Sequence, residues 1–120
     1  MGLDMYIYIK DKETNEMIEF SYFRKFNALH GYFDLKYHLD NPCCVEITDE
    51  DIRHLMFKVN AIKENPNVAE KALPVYYGPF FGSYDYGFVY FEYIEQLYKD
   101  LKRLTKINRQ QYEIYYKADY

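Results

Sequence analysis

Apolar and polar residues alternate strictly at the start of the chain. Over Leu3–Lys10, Leu3, Met5, Ile7 and Ile9 fall on one side and Asp4, Tyr6, Tyr8 and Lys10 on the other. That is the period of a half-buried strand with tyrosines on its outer face. Asp11–Glu16 (DKETNE) is polar turn material, and Met17–Ser21 reads as a second strand, joined to the first as a hairpin. The period then changes. Tyr22, Phe26, Leu29 and Phe33 recur at helical spacing, which predicts a helix from about Tyr22 to Leu39 with Ser21 as its cap. Gly31 inside that helix costs about 1 kcal/mol relative to alanine, so it predicts close packing or ligand approach at that turn. Asp40-Asn41-Pro42 ends the element.

Cys43–Ile47 is a short apolar strand, and Thr48-Asp49-Glu50-Asp51 is a helix start with a capping hydroxyl and acids in the first turn. The helix it opens places Ile52, Leu55, Met56, Val59 and Ile62 on one face and breaks at Asn65-Pro66-Asn67. Val68–Leu73 has room for one further turn before Pro74. Pro74–Gly87 (PVYYGPFFGSYDYG) alternates glycine and proline with aromatics and has little polar filler. It predicts an ordered loop that needs a surface to pack against, with a short strand around Val75–Tyr77. Phe88–Ile107 is the longest predicted helix, with an apolar stripe from Phe91 to Leu104, an ion pair between Glu95 and Lys99, and Asn108 as C-cap. Gln111–Ala118 alternates again, with Tyr112, Ile114 and Tyr116 on one face, and is expected to insert beside the first strand. The expected architecture is a single α+β domain over residues 1–120, a small mainly antiparallel sheet with about three helices packed on one face.

Composition narrows the function classes. With 49% hydrophobic and 28% charged residues in 120, the chain can bury one core. It has 16 Tyr, 9 Phe and no Trp, so many amphipathic rings must reach the surface, as binding faces require. A net charge of −4 with mixed signs argues against the broad cationic footprint of a duplex-binding protein. The only cysteines, Cys43 and Cys44, are adjacent and lack C-x-x-C spacing, so they are read as reduced residues of a cytoplasmic protein. No apolar run reaches the roughly 18–20 residues of a membrane span. No signal peptide is recognised, and Tyr6 stands where N-myristoylation after Gly2 requires Ser or Thr. The histidines form no H-x-x-x-H or H-E-x-x-H pattern, so neither a metal nor another cofactor is expected.

Candidate chemistry concentrates in Tyr22–Phe33 (YFRKFNALHGYF), which holds Arg24, Lys25, Asn27 and His30. In the predicted helix Arg24 and Lys25 fall in the first turn, where free N–H groups and the dipole already favour an anion. Either a phosphate or carboxylate ligand or an acid from elsewhere in the chain would relieve them. Asn27 and His30, spaced i,i+3, share one flank. His30 could act as an acid or base with Asp34 as orienting partner, or it could be a packed, hydrogen-bonding histidine. No serine or cysteine nucleophile is tied to it by sequence. The loop Gly78–Gly87 is neither a P-loop nor a dinucleotide fingerprint. Its Gly82 and Ser83 nevertheless offer N–H groups and a hydroxyl, and Phe81 and Tyr84 offer rings for stacking. The alternative is that these rings plug and cover the core. Lys99, Lys102, Arg103 and Lys106 read as a solvated helix face.

The opening M-G-L-D-M-Y (Met1–Tyr6), the aromatic-R-K-x-N-x-[IL]-H pattern at Phe23–His30, the F-F-G-[ST] loop at Phe80–Ser83 and the aromatic end at Tyr112–Tyr120 together resemble a family of small phage and prophage proteins of uncharacterised chemistry. The likeness spans nearly the whole chain, which differs from its relatives in having no tryptophan. The resemblance implies a phage accessory protein in the cytoplasm of the bacterial host, acting against host defences. The leading expectation is a non-enzymatic binding protein with a pocket for an anionic, nucleotide-like small molecule between the first helix and the Gly78–Gly87 loop. Arg24, Lys25, Asn27, His30, Phe81, Gly82, Ser83 and Tyr84 are its candidate ligand-binding residues. Two other expectations stand beside it: an inhibitor that binds a host defence protein through a tyrosine-rich face, and a phosphodiester-cleaving enzyme with His30 as catalytic residue. A homodimer through a sheet edge is compatible with each.

Overall fold

The N-terminal hairpin forms, and its second strand runs further than the polar pattern suggested. The computed structural model describes residues 2–120; Met1, the first residue of the M-G-L-D-M-Y opening, lies outside them. β1 (Asp4–Asp11) pairs antiparallel with β2 (Met17–Arg24), with a register shift at Ile7/Tyr8. Beyond Ser21 the alternation persists: Phe23 lies opposite Met5 and is buried, while Tyr22 lies opposite Tyr6 and is 40% exposed. The expected helix start at Tyr22 is therefore corrected. α1 runs over Asn27–Tyr37, and Tyr22 is no part of its buried face. Ser21 is not a cap either; its hydroxyl donates to the Asp100 carboxylate. Phe26, Leu29 and Phe33 are buried as the helical spacing predicts. The helix ends two residues early, with His38 in the left-handed region (φ 55°) and the Leu39 N–H on the Asp34 carboxylate.

β3 (Cys43–Glu46) leads into α2 (Asp49–Glu64), whose start is the reciprocal capping box of Thr48 and Asp51. A 3-10 turn at Pro66–Val68 precedes the single-turn α3 (Ala69–Ala72), and α4 (Phe88–Leu104) is the longest helix. β4 (Tyr112–Asp119) inserts beside β1, giving one antiparallel sheet in the order β2-β1-β4-β3. Three local expectations change. Val75–Tyr77 forms no strand, because its backbone N–H groups go to side chains: Val75 donates to the Tyr86 hydroxyl and Tyr76 to Asn27 Oδ1. Asn108 does not cap α4, which ends at Leu104; it organises the next turn, accepting from Gln110, Gln111 and Tyr112. Glu95 pairs across to Lys63 of α2 at 2.5 Å and not along its own helix to Lys99, since Lys63 is also held over the Tyr98 ring at 3.9 Å.

One sheet face builds the core. Met5, Ile7, Phe23, Ile114, Tyr116 and Ala118 are all buried there, and α1 lays Phe33 on Tyr116 with ring centres 4.4 Å apart. Burying a side chain of that size contributes about 1.5–3 kcal/mol. Cys43 is buried on this side and Cys44 exposed, both as free thiols. On the opposite face the Tyr6 ring meets those of Tyr8 and Tyr22, 5.8 and 5.1 Å between centres. Among the described residues no helix is long and apolar enough to cross a membrane.

Candidate functional site

The Pro74–Gly87 loop is docked onto α1 by two residues of α1 itself. A Cβ on Gly31 would lie 2.6 Å from Cβ of Tyr76, so the glycine is there for close packing of the loop. Asn27, 3% exposed, donates from Nδ2 to the carbonyls of Phe81 (3.0 Å) and Ser83 (2.9 Å) and accepts from Tyr76 N–H (2.9 Å). Its amide is committed to the loop on both sides. The Tyr76 hydroxyl donates to Asp34, which pushes the phenol up to about 12.

Several residues expected to contact a ligand are used inside this assembly. Phe81 is 2% exposed and meets the rings of His30 at 5.4 Å and Tyr120 at 4.8 Å. Tyr84 packs on Tyr77 at 4.3 Å, and its hydroxyl donates to the Gly78 carbonyl. His30 is 1% exposed, with Nδ1 2.7 Å from the Tyr116 hydroxyl. It belongs to the core beneath the loop.

Burial pulls the His30 pKa down and outweighs the opposing pull of Asp34. A histidine whose pKa is lowered by folding contributes stability that is complete above its unfolded value of 6.5 and is lost as the pH falls through the folded value. The melting temperature should therefore drop as the pH falls below 6.5, and drop less in His30→Gln. Identical slopes in both proteins would show that His30 is not the group responsible.

Beside the docked loop lies a cleft of about 230 Å³. Arg24, Lys25, Asn27, Gly82 and Ser83 line it together, whereas His30, Phe81 and Tyr84 do not. Lys25 is neither strand nor helix; it turns the chain from β2 into α1 with φ 62° and donates its N–H to the Leu3 carbonyl. Gly82, at φ 89°, lets the loop pass against this residue: a Cβ there would stand 2.9 Å from Cβ of Lys25. Arg24 forms an ion pair with Asp4 at 2.9 Å. The Tyr22 hydroxyl and the Arg24 guanidinium hold the Asp4 carboxyl below the usual carboxylate range.

The cleft also receives residues that the local pattern did not single out: Val75, Asp85, Val89, Tyr90 and Tyr93. Tyr93 stacks on Phe26 at 4.9 Å and donates its hydroxyl to the Arg24 carbonyl, tying α4 to the end of β2. The one signal for the two tyrosines is their i,i+3 spacing directly after Gly87, at the start of the last helix. The first turns of α1 and α4 both line the cleft, through Phe26, Asn27 and Ala28 and through Val89 and Tyr90. Neither helix has a side-chain N-cap, and neither carries an acid in its first turn. The first turns of two helices thus lie beside Lys25 in one cleft.

No protein-family model, curated protein or solved structure matches the chain. The chemistry of the cleft is therefore the guide to function. Among the described residues no cluster of three or more His, Cys, Asp or Glu side chains could hold a metal.

Proposed function

We propose that this chain is a non-enzymatic binding protein that captures a small phosphorylated, nucleotide-like anion in the cleft between the start of α1 and the Gly78–Gly87 loop. The observation that carries the reading is the meeting of two uncapped, acid-free helix N-termini with Lys25 in one cleft. Such an arrangement favours an anion through amide donors, dipoles and an ammonium group together. Lys25 and Arg24 hold the phosphate, Ser83 offers a hydroxyl, and the Tyr93 and Tyr90 rings supply an apolar wall for a base. Asp85 on the rim suits a sugar hydroxyl as acceptor. His30 and Tyr84 have no part in this version of the site, Phe81 supports it from within, and Asn27 contributes its first-turn N–H while its side chain holds the loop. No step of the proposal needs an acid or base.

The resemblance to small phage and prophage proteins supports a role in the cytoplasm of an infected bacterium. There, sequestering a nucleotide signal would blunt a host defence. The tyrosine-bearing outer sheet face favours the second reading, an inhibitor that covers a host protein. It presents rings already in mutual contact, at low entropic cost for a partner to bury.

The deciding experiment is mass spectrometry of small molecules released on denaturation, after incubation with a bacterial nucleotide extract. An intact nucleotide recovered from the wild type and lost from a folded Lys25→Glu variant is the expected result. A cleaved product would overturn the non-enzymatic reading. If the wild type retains nothing, the cleft proposal fails and the sheet face takes its place.

A further inference from the structure

A second cavity, of about 350 Å³, opens on the other side of the Pro74–Tyr76 segment, where α1 meets α2 and α3. Its apolar surface comes from Ala28, Gly31, Leu35, Pro74 and Tyr76, and Leu35 stands 67% exposed. Its charged lining is Lys36, Lys58 and Lys71, with no carboxylate among the lining residues. In a chain with 19 acidic and 15 basic residues, three cations and no acid around one cavity is a local reversal of charge.

Two of these cations are held in place. Lys36 donates to Asp51, which is fully buried, so its charge is already balanced. Lys58 reaches across from α2 and donates to the Ala72 carbonyl at 2.9 Å, a neutral acceptor that leaves its charge uncompensated. Ala72 adjoins Lys71, whose side chain is exposed at the same end of α3. The uncompensated charge therefore gathers at one end of the cavity, and the apolar surface extends from it along α1.

We infer that this basin binds a small amphipathic anion, with its apolar body on Leu35, Gly31 and Tyr76 and a carboxylate or phosphate monoester head at Lys58 and Lys71. The volume falls within the range of small-molecule sites, about 300–1,000 Å³. A head group bonded to both ammonium groups would gain charge-assisted hydrogen bonds beside an apolar wall, where they are strongest. The inference is independent of the cleft at Lys25, which shares only Ala28 with this basin and uses another face of the loop.

The test is an amide-resolved NMR titration with octanoate, octyl phosphate and neutral octanol. Octanoate or octyl phosphate should shift the Gly31, Leu35 and Ala72 amides saturably. Octanol should bind about tenfold more weakly or less well still, as expected for loss of one charge-assisted hydrogen bond. Lys71→Met, at an exposed position, and the double variant Lys58→Met/Lys71→Met should each reduce that preference while the protein stays folded. Preference for octanoate assigns a carboxylate head, and preference for octyl phosphate a phosphate. Equal binding of octanol, no saturable shift, shifts confined to Lys25 and Ser83, or an unchanged preference in both variants would overturn the proposal. The mass-spectrometric comparison of Lys25→Glu is unaffected by any of these results.

Discussion

Replacing Asn27 with alanine is expected to destabilise the protein by about 3 kcal/mol and to release the Pro74–Gly87 loop from α1. The side chain is almost fully buried and makes three hydrogen bonds, donating to the Phe81 and Ser83 carbonyls and accepting from the Tyr76 N–H. Alanine removes all three partners at once. Each buried polar group left unsatisfied costs about 1–3 kcal/mol, and partial hydration of the loosened loop brings the total to the lower part of the summed range. The loop has no strand or helix of its own from Pro74 to Gly87, so little else compensates. Its glycines make the released state entropically favourable. Denaturant midpoints should fall, and protease cleavage should appear between residues 74 and 87 before global unfolding. Because Gly82, Ser83 and Asp85 enter the cleft only when the loop is docked, ligand capture should weaken in parallel. A variant with the wild-type midpoint and an equally protected loop would show that the ring contacts of Phe81 suffice to hold it.

Asp51→Asn should have a comparable effect, again about 3 kcal/mol, at a place remote from the loop tip. Asp51 is fully buried and accepts from four donors: the Tyr32 and Tyr37 hydroxyls, the Lys36 ammonium and the Thr48 N–H. It thereby joins α1 to the first turn of α2. Asparagine keeps the shape but offers one acceptor atom, so two donors lose their partner and Lys36 loses its counter-charge. The acid response should change as well. Burial raises the Asp51 pKa, but the Lys36 ammonium, the Tyr37 hydroxyl and the Thr48 N–H together pull it below its ordinary value of 3.8. A carboxyl whose pKa is lowered by folding contributes stability above its unfolded pKa and loses it as the pH falls through the folded value. The gap between the urea midpoints of wild type and Asp51→Asn should therefore persist at neutral pH and close as the pH falls below 3.8. A constant gap at all pH values would mean that the ionised form of Asp51 contributes nothing beyond its shape.

Much of the architecture is legible in the polar pattern. The alternation of Leu3–Lys10 and Gln111–Ala118 identifies the two central strands, and the stripes of α2 and α4 identify the faces they bury. Thr48 and Asp51 mark the start of α2 to the residue. Gly31 announces a close approach, though not that the approaching group is Tyr76. The start of α1 is misread because Tyr22, Phe26, Leu29 and Phe33 fit a helix while Ser21–Arg24 still alternates. Both periods are present over those few residues. Pairing of Phe23 with Met5 on the buried sheet face decides for the strand, and it carries Arg24 and Lys25 out of the helix altogether.

The candidate site divides in the same way. Arg24, Lys25, Asn27, Gly82 and Ser83 were legible as cleft residues because they interrupt two otherwise aromatic segments, Tyr22–Phe33 and Gly78–Gly87. The roles of His30, Phe81 and Tyr84 were not. A histidine or an aromatic ring has the same local signature whether it meets a ligand or fills a core. Tyr116, Tyr120 and Tyr77 settle the matter, the first two from the far end of the chain. Tyr90 and Tyr93 enter the cleft only because α4 is tied to the end of β2 through Phe26 and Arg24. By itself the sequence determined which residues alternate, which recur at a helical period and where α2 is capped, since these depend on backbone geometry within a few residues. Only the tertiary structure decided which polar groups are consumed by a segment some 50 residues away and which remain facing a cleft, because a buried hydrogen bond is set by where two distant chains meet.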